Sequence, residues 1–288
     1  MEAILASIVA AAAPRVYAAL GETITERAGV VNLSVNGSML LAGMAGFAAA
    51  YTTGSALVGF IAAAVVGAAV AGVVVWSSIS LKLDQIAVGF VLTLLAADLA
   101  DFLGADFVRL PGPSVKPMPI PFLADIPWVG PALFDHNLSV YGSLVLVVVA
   151  GLFLERSRYG LALRAVGERP EAAHARGIPV WKVQTWATLA GGALVGIGGA
   201  AFTLDVKLGW SDGHIDGFGW IALAIVIFGG WRPARVLLGC WLFGALQVVA
   251  LRLQPVFPGV AQILPSLPFP LMIGTLVVLN TAWLQGLA

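Results

Sequence analysis

Apolar runs of about twenty residues recur along the chain, and they decide what it can fold into. A helix of that length crosses a hydrocarbon core about 30 Å thick. The runs fall at about residues 3–20, 30–51, 55–77, 85–103, 138–154, 183–204, 236–250 and 269–284, with a shorter one at 218–230. Composition agrees: of 288 residues 60% are hydrophobic and 10% charged, where a soluble domain carries roughly 25% charged residues. A chain this size has too little interior to hide so much apolar surface from water. The expected fold is therefore all-α, a polytopic helical bundle with about 8–9 membrane segments, one of them short or re-entrant. The N-terminal run carries Glu2 ahead of it, and its first basic residue, Arg15, comes after it. That order is wrong for a signal peptide and fits a first membrane helix.

Several function classes drop out. Fifteen Lys and Arg balance fifteen Asp and Glu, which gives nucleic acid no basic excess to bind. A single cysteine, Cys240, excludes an internal disulfide framework. His136, His174 and His214 are scattered, and HExxH, GxxxxGK[ST] and GxSxG are absent. No metal site, hydrolase centre or nucleotide site is expected in this chain. Lys and Arg set the orientation. The segment 155–182 is the one strongly charged stretch, and with Lys82, Arg232 and Arg235 it puts nine basic residues on one side. The other side has four: Arg109, Lys116, Lys207 and Arg252. The richer side is read as cytoplasmic, which places the proline-rich stretch 109–131 and the polar turn 205–216 outside. Gly67 with Ala71, and Gly192 with Gly196, are spaced for close helix packing.

Four segments carry chemistry. The first, GLALRAVGERPEAAHARGIPVW from Gly160 to Trp181, lies between two membrane runs on the basic side. Pro170 suits a first helical position, Glu171 complements the dipole of the first turn, and Gly177 followed by Pro179 ends the helix. A short helix over about 170–176 results, with small residues Ala172, Ala173 and Ala175 flanked by Arg164, Glu168, Arg169 and Arg176. It reads as a docking helix for a cytoplasmic partner; a merely solvated loop is the other reading. The second segment, LGETITERAGVVNLSVNGSMLLAG from Leu20 to Gly43, sets Glu22, Glu26, Asn32, Ser34, Asn36 and Ser38 in or beside a membrane run. Polar groups there face a bundle interior or an aqueous path, and the glycines suggest a broken helix, tolerated only where protein or a cavity surrounds it. The third, GFGWIALAIVIFGGWRP from Gly217 to Pro233, can bring a helix terminus to membrane depth. The fourth is DQIAVGF from Asp84 to Phe90. Most tryptophans, Trp128 and Trp283 among them, fall near segment ends as an interfacial belt. Trp210 and Trp220 are the two candidates for a ligand contact.

These four motifs resemble the permease subunits of bacterial ABC importers, in the group that carries branched-chain amino acids, ribose and nucleosides. The nucleoside-type members are most similar. Two positions depart from that pattern: Asn36 stands where a glutamate is common, and Thr93 where an asparagine is common. The resemblance implies one transmembrane permease domain over 1–288, with a cytoplasmic coupling segment at 155–182. It implies import of nucleosides or purine-like compounds, with sugars and branched-chain amino acids next, by alternating access. Coupling falls to Arg164, Gly167, Glu168, Pro170, Glu171, Ala172, Ala173, Arg176 and Gly177. Glu22, Glu26, Asn32, Ser34, Asn36 and Trp220 are the pathway candidates. The chain is expected to be no enzyme and to bind no cofactor, with ATP and Mg held by separate cytoplasmic ATP-binding subunits. The other implied partners are a second, different permease subunit and an extracytoplasmic substrate-binding protein, all at the bacterial cytoplasmic (inner) membrane. The alternative is a self-sufficient secondary transporter or channel, which would need more ionisable groups at the helix centres.

Overall fold

The computed structural model describes residues 2–255 apart from Asp125 and Trp128, together with Pro270, Gly274 and Val277. Among these residues every regular element is helical, and extended backbone is confined to isolated bridges such as Val108–Trp210 and Pro117–Asn137. Six helical stretches are long and apolar enough to cross a membrane: Glu2–Arg27, Ala56–Ser80, Gln85–Phe107, Leu138–Arg156, Val180–Val206 and Pro233–Leu253. The expected eight to nine segments therefore exceed what is seen among the described residues. The run at 30–51 divides into non-helical backbone and a helix, Val35–Thr53, diluted by Asn36, Ser38 and three glycines. The run at 218–230 yields an eleven-residue helix, Phe218–Phe228, as its length foretold. The run at 269–284 lies outside the described residues, as do Trp128 and Trp283.

In chain order the helices are α1 (Glu2–Arg27), α2 (Val35–Thr53), α3 (Ala56–Ser80), α4 (Gln85–Gly104), α5 (Val129–Leu133), α6 (Leu138–Arg156), α7 (Arg158–Glu168), α8 (Pro170–Ala175), α9 (Val180–Ala201), α10 (Phe218–Phe228) and α11 (Pro233–Leu253). Helix α2 is the hub, packed against α3, α4, α9 and α10, while α1 packs on α9, α11, α10 and α6. Arg27 at the end of α1 shares a cavity with Arg164 and Arg232. All three thus lie on one side, and α1 starts on the other.

The small-residue spacing does what it implies. A Cβ on Gly67 would overlap the Gly192 carbonyl and sit 2.8–2.9 Å from Gly196 backbone atoms. One on Gly192 would strike Ala71 Cβ, and one on Gly196 the Ala63 carbonyl. Helices α3 and α9 thus touch backbone to backbone, which in lipid replaces the hydrophobic drive that water would supply.

The turn at 205–216 departs from the expectation of a segment lying wholly outside. It follows a π-helical turn, Phe202–Val206, at the end of α9. It then runs inward, burying Trp210 and Ile215 completely. Apolar residues at alternating depths let a nominally polar loop descend between helices. Overpacking a tight contact costs about 1–3 kcal/mol. Gly196→Leu should accordingly lower the melting temperature in detergent by several degrees. Gly151→Leu, where an added Cβ meets nothing within 4 Å, should leave it nearly unchanged.

Candidate functional site

The chain leaves α1 at Arg27 and turns through Ala28 and Gly29, the latter at φ +83°. It then climbs without helical hydrogen bonding until α2 begins at Val35. Depth can be read from its neighbours. Val31 N–H donates to Gln85 Oε1 at the start of α4, Leu33 packs on Gly89, and Gly37 packs on Thr93. Thr93 is eight residues into α4, about 12 Å along it at 1.5 Å per residue. Helix α2 therefore begins inside the membrane thickness, and the backbone below it needs partners from protein. Glu22 Oε1 accepts the Asn32 N–H at 3.1 Å, and Thr93 Oγ1 donates to the Leu33 carbonyl at 2.7 Å. Asn32 Oδ1 accepts from the Ser34 N–H (3.0 Å) and hydroxyl (2.6 Å), and Ser34 Oγ lies 3.2 Å from Ser38 Oγ. Glu22, Asn32, Ser34 and Ser38 thus form one buried polar cluster, in which Glu22 Oε2 has no protein partner.

Asn36 stands at the meeting of two helix N-termini. Its Oδ1 accepts the N–H groups of Gly217 (3.0 Å) and Gly219 (3.2 Å), and its Nδ2 donates to Asp216 Oδ1 at 2.8 Å. A residue 180 positions away thereby supplies the N-terminal cap that α10 lacks locally. Gly219 is required there, because a Cβ would collide with the Asn36 backbone. From this point α10 runs back toward the arginine-rich side. Its following turn is tied to α1 by a hydrogen bond from the Trp231 indole N–H to Glu26.

The start of α10 is held from a second direction. Arg15, completely buried in α1, places its guanidinium carbon 4.4 Å from the Phe218 ring centroid and 4.5 Å from that of Phe243. It donates to the Ala11 carbonyl at 2.7 Å and to Gln247. Cation–π contact and hydrogen bonds stand in for a counter-ion. The loop before α10 is packed through rings: His214 lies 4.7 Å from Trp210 and 5.5 Å from Phe202 by centroid, and Phe202 lies 4.7 Å from Phe218. Burial pushes the His214 pKa below its ordinary 6.5 against a weaker opposing bond to Ser211. Trp210 is packed beneath Gly104 and presents no face to a ligand. Trp220 is exposed, with its ring 6.4 Å from Phe90.

On the arginine-rich side, α7 is capped by Ser157, whose hydroxyl accepts the Gly160 N–H at 2.8 Å. Helix α8 has Pro170 at its first position and ends at Ala175, one residue short of the expected 170–176. Gly177 at φ +82° closes it, with the Ile178 N–H returning to the Ala173 carbonyl at 3.1 Å. Ala173 is buried, while Glu168, Pro170, Glu171, Ala172, Arg176 and Gly177 are exposed, and Arg164 and Gly167 are half-buried. Gly167 makes the contact that joins the two regions. Its Cα lies where a Cβ on Gly29 would come within 3.1 Å, and a Cβ on Gly167 would overlap the Arg27 carbonyl. The end of α7 therefore rests against the break that leads to Glu22 and Asn32.

Sequence reasoning placed Glu22, Asn32, Ser34 and Asn36 in one segment, and the structure brings them into one region, with Trp220 following the Gly219 that packs on Asn36. Glu26 is close in sequence but bonds toward Trp231, on the arginine-rich side. Asp216 and Arg15 were not selected. Asp216 read as loop, and the segment's GFG start was the only sign that its neighbourhood returns to membrane depth.

Helices broken inside a bundle, with N-termini meeting beside buried polar groups, are the architecture of a membrane transport protein. The comparisons place it further. The family model for the branched-chain amino acid transport system permease component matches residues 4–276, and the chain belongs to that family of ABC transporter permease subunits. A Haloferax volcanii protein named "Putative glucose ABC transporter permease protein TsgC13" is 40% identical over 255 residues, covering 87% of this chain and 78% of that one. The nucleoside ABC transporter permease protein NupC of Lactococcus lactis is 29% identical, covering 91% and 86%. The guanosine ABC transporter permease protein NupQ of Bacillus subtilis is 28% identical, covering 88% and 83%. These relatives are permease components rather than enzymes, and the chain is a multi-pass membrane protein. No solved structure matches it significantly.

Two outcomes follow from this geometry. Losing an N-cap costs about 0.5–2 kcal/mol, so Asn36→Leu should destabilise by about that amount, measured by thermal unfolding in detergent. His214, a base whose folded pKa is depressed, contributes stability fully above its ordinary 6.5 that is lost as pH falls below it. The melting temperature should drop between pH 7.5 and 5.5, and His214→Phe should flatten that part of the drop.

Proposed function

We propose that this chain is a permease subunit of an ATP-driven importer whose substrates are nucleosides or purine-like compounds, and that it works by alternating access. The observation that carries the reading is the contact of Gly167 with Gly29 and Arg27. It gives a displacement of the segment 155–182 a direct backbone route to the polar cluster of Glu22, Asn32, Ser34 and Ser38. In this reading 1–288 is one permease domain, and Arg164, Gly167, Glu168, Pro170, Glu171, Ala172, Ala173, Arg176 and Gly177 form its coupling face. ATP and Mg belong to separate subunits on the cytoplasmic side, the side rich in arginine. A second permease subunit completes the path, and an extracytoplasmic binding protein delivers the substrate.

The pathway residues Glu22, Asn32, Ser34 and Asn36 offer amide, hydroxyl and carboxylate groups inside a low-dielectric bundle, suited to a neutral, hydroxylated ligand. Nucleosides and sugars share that chemistry. The nucleoside and guanosine relatives support the first substrate class, and the Haloferax relative, the most identical of the three, supports a hexose as the second. Trp220 stands beside this route as a candidate stacking surface for a base.

The test is uptake into proteoliposomes of radiolabelled guanosine, adenosine and glucose, by the chain alone and with its co-purifying subunits, with and without internal ATP. Uptake confined to the full assembly with ATP supports the reading, and the preferred label ranks the substrates. Uptake by the chain alone on an ion gradient overturns it in favour of a secondary transporter. Because Ala173 is buried and Ala172 exposed, the informative coupling variants are Ala172→Trp and Glu171→Lys. Each should cut ATP-driven uptake at least fivefold while leaving the melting temperature within a degree or two.

A further inference from the structure

Where α1, α6 and α7 meet the turn between α10 and α11, a cavity of about 430 Å³ opens on the arginine-rich side. Arg27, Arg164 and Arg232 line it, with Glu155, Trp231 and Pro233. The lining holds three guanidinium groups and one carboxylate, Glu155, and the charge of Glu168 also bears on Arg27. The Nε–H groups of Arg27 and Arg164 are buried with no partner among the described residues. Buried donors are normally satisfied, and arginines grouped around one cavity can offer several donors to a single acceptor group.

Two further features point the same way. Pro233 is the first residue of α11, whose N-cap, Arg232, makes no side-chain cap bond. The open N–H groups and positive dipole end of a 21-residue helix therefore sit at the cavity rim. The turn that brings it there is strained, with Trp231, a non-glycine residue, at φ +55°. Such backbone persists where surrounding structure holds it and gathers at ligand sites. The Trp231 indole bonded to Glu26 is what holds it here.

We infer that this cavity binds a phosphate group at the cytoplasmic face of the membrane. Arginine forks match phosphate oxygens bidentately, and basic pockets between membrane helices on that face receive acidic headgroups. The phosphodiester of an anionic phospholipid and free inorganic phosphate share this chemistry. Glu155 would accept from a headgroup hydroxyl, which favours phosphatidylglycerol over the bare ion. The inference concerns a site outside the proposed pathway and stands independently of the substrate.

The test uses the full chain, with whatever subunits co-purify, in a neutral detergent. Thermal unfolding is followed with added phosphatidylglycerol, phosphatidylcholine, or sodium phosphate against sodium chloride at equal ionic strength. Native mass spectrometry counts the bound lipid. Phosphatidylglycerol is expected to raise the melting temperature by several degrees and phosphatidylcholine not to. Charge-assisted bonds to arginine are worth about tenfold or more each in affinity. Arg232→Gln and Arg27→Lys should therefore each need about tenfold more lipid for the same shift. Arg235→Gln, an exposed basic residue outside the cavity lining, controls for net charge and should behave as the parent chain. A shift from inorganic phosphate alone, lost in Arg232→Gln, assigns the site to the free ion. Equal lipid shifts in parent, Arg232→Gln and Arg235→Gln, or no shift from either phosphate source, overturn the proposal.

Discussion

Asn36 reaching across 180 residues of sequence to cap α10 is the contact on which the rest of the bundle depends. A helix that begins inside a membrane exposes N–H groups where water is scarce, and each unsatisfied one costs several kcal/mol. Helix α10 has eleven residues and an apolar sequence, so it cannot offset that loss from its own composition. The carboxamide satisfies two of the donors, and Asp216 holds the carboxamide in orientation from its other side. Remove that arrangement and the inward path of 207–217, the turn at Trp231 and its bond to Glu26 all lose their anchor. Arg15 reinforces it by clamping Phe218 between a guanidinium and the packing of α1. The unusual burial of an arginine without a carboxylate is intelligible as part of this one junction.

A neutral amide suits that position for a physical reason. An N-cap needs an acceptor, which glutamate would also provide, but Asp216 already brings a carboxylate within 2.8 Å. Two carboxylates in hydrogen-bond range could not both ionise at low dielectric. Asn36 supplies acceptor and donor from one group, so the departure from the more common glutamate and the presence of Asp216 are two halves of one solution.

Much of this was legible in the sequence, and the failures have identifiable causes. Length and hydropathy locate α1, α3, α4, α6, α9 and α11 because a membrane helix is fixed by a local requirement. The glycine and alanine spacings locate the α3–α9 seam, since only small residues allow that approach. Capping residues fix α8 to within one residue. The glycines pointed to a broken helix in the run at 30–51, but periodicity could not show that the break covers 30–34 and the helix starts at Val35, because the apolar side chains look alike in either state. Nor could it show that 205–216 returns into the bundle. That descent rests on Ile215 filling a gap beside Gly43 and on Asn36 waiting at its end, both long-range facts. Trp210 looked like a ligand contact for the same reason: an exposed ring was assumed where the structure buries it beneath Gly104.

The distribution of rigid and weak contacts fits a part that moves as a unit. Helices α2, α3 and α9 are joined by backbone contacts at Gly46, Gly59, Gly67, Gly192, Gly196 and Gly199, so they can hardly shear without collision. The junction of α1, α10 and α11 is held by Arg15, Asn36 and Trp231. Between these two blocks runs the span 28–34, whose backbone is not helical: the N–H groups of 28–30 return to carbonyls of α1, and those of Val31, Asn32 and Ser34 go to side chains. Such a span can change its torsions without breaking a helix, and Gly29, already in the left-handed region, stands at its foot beside Gly167. A push delivered to α7 therefore meets the most compliant part of the chain first. The same stretch of backbone carries the bonds to Glu22 and Thr93, so any change at Gly29 must alter the polar cluster. The span 28–34 thus joins the Gly167 contact to the bonds from Glu22 and Thr93 within seven residues.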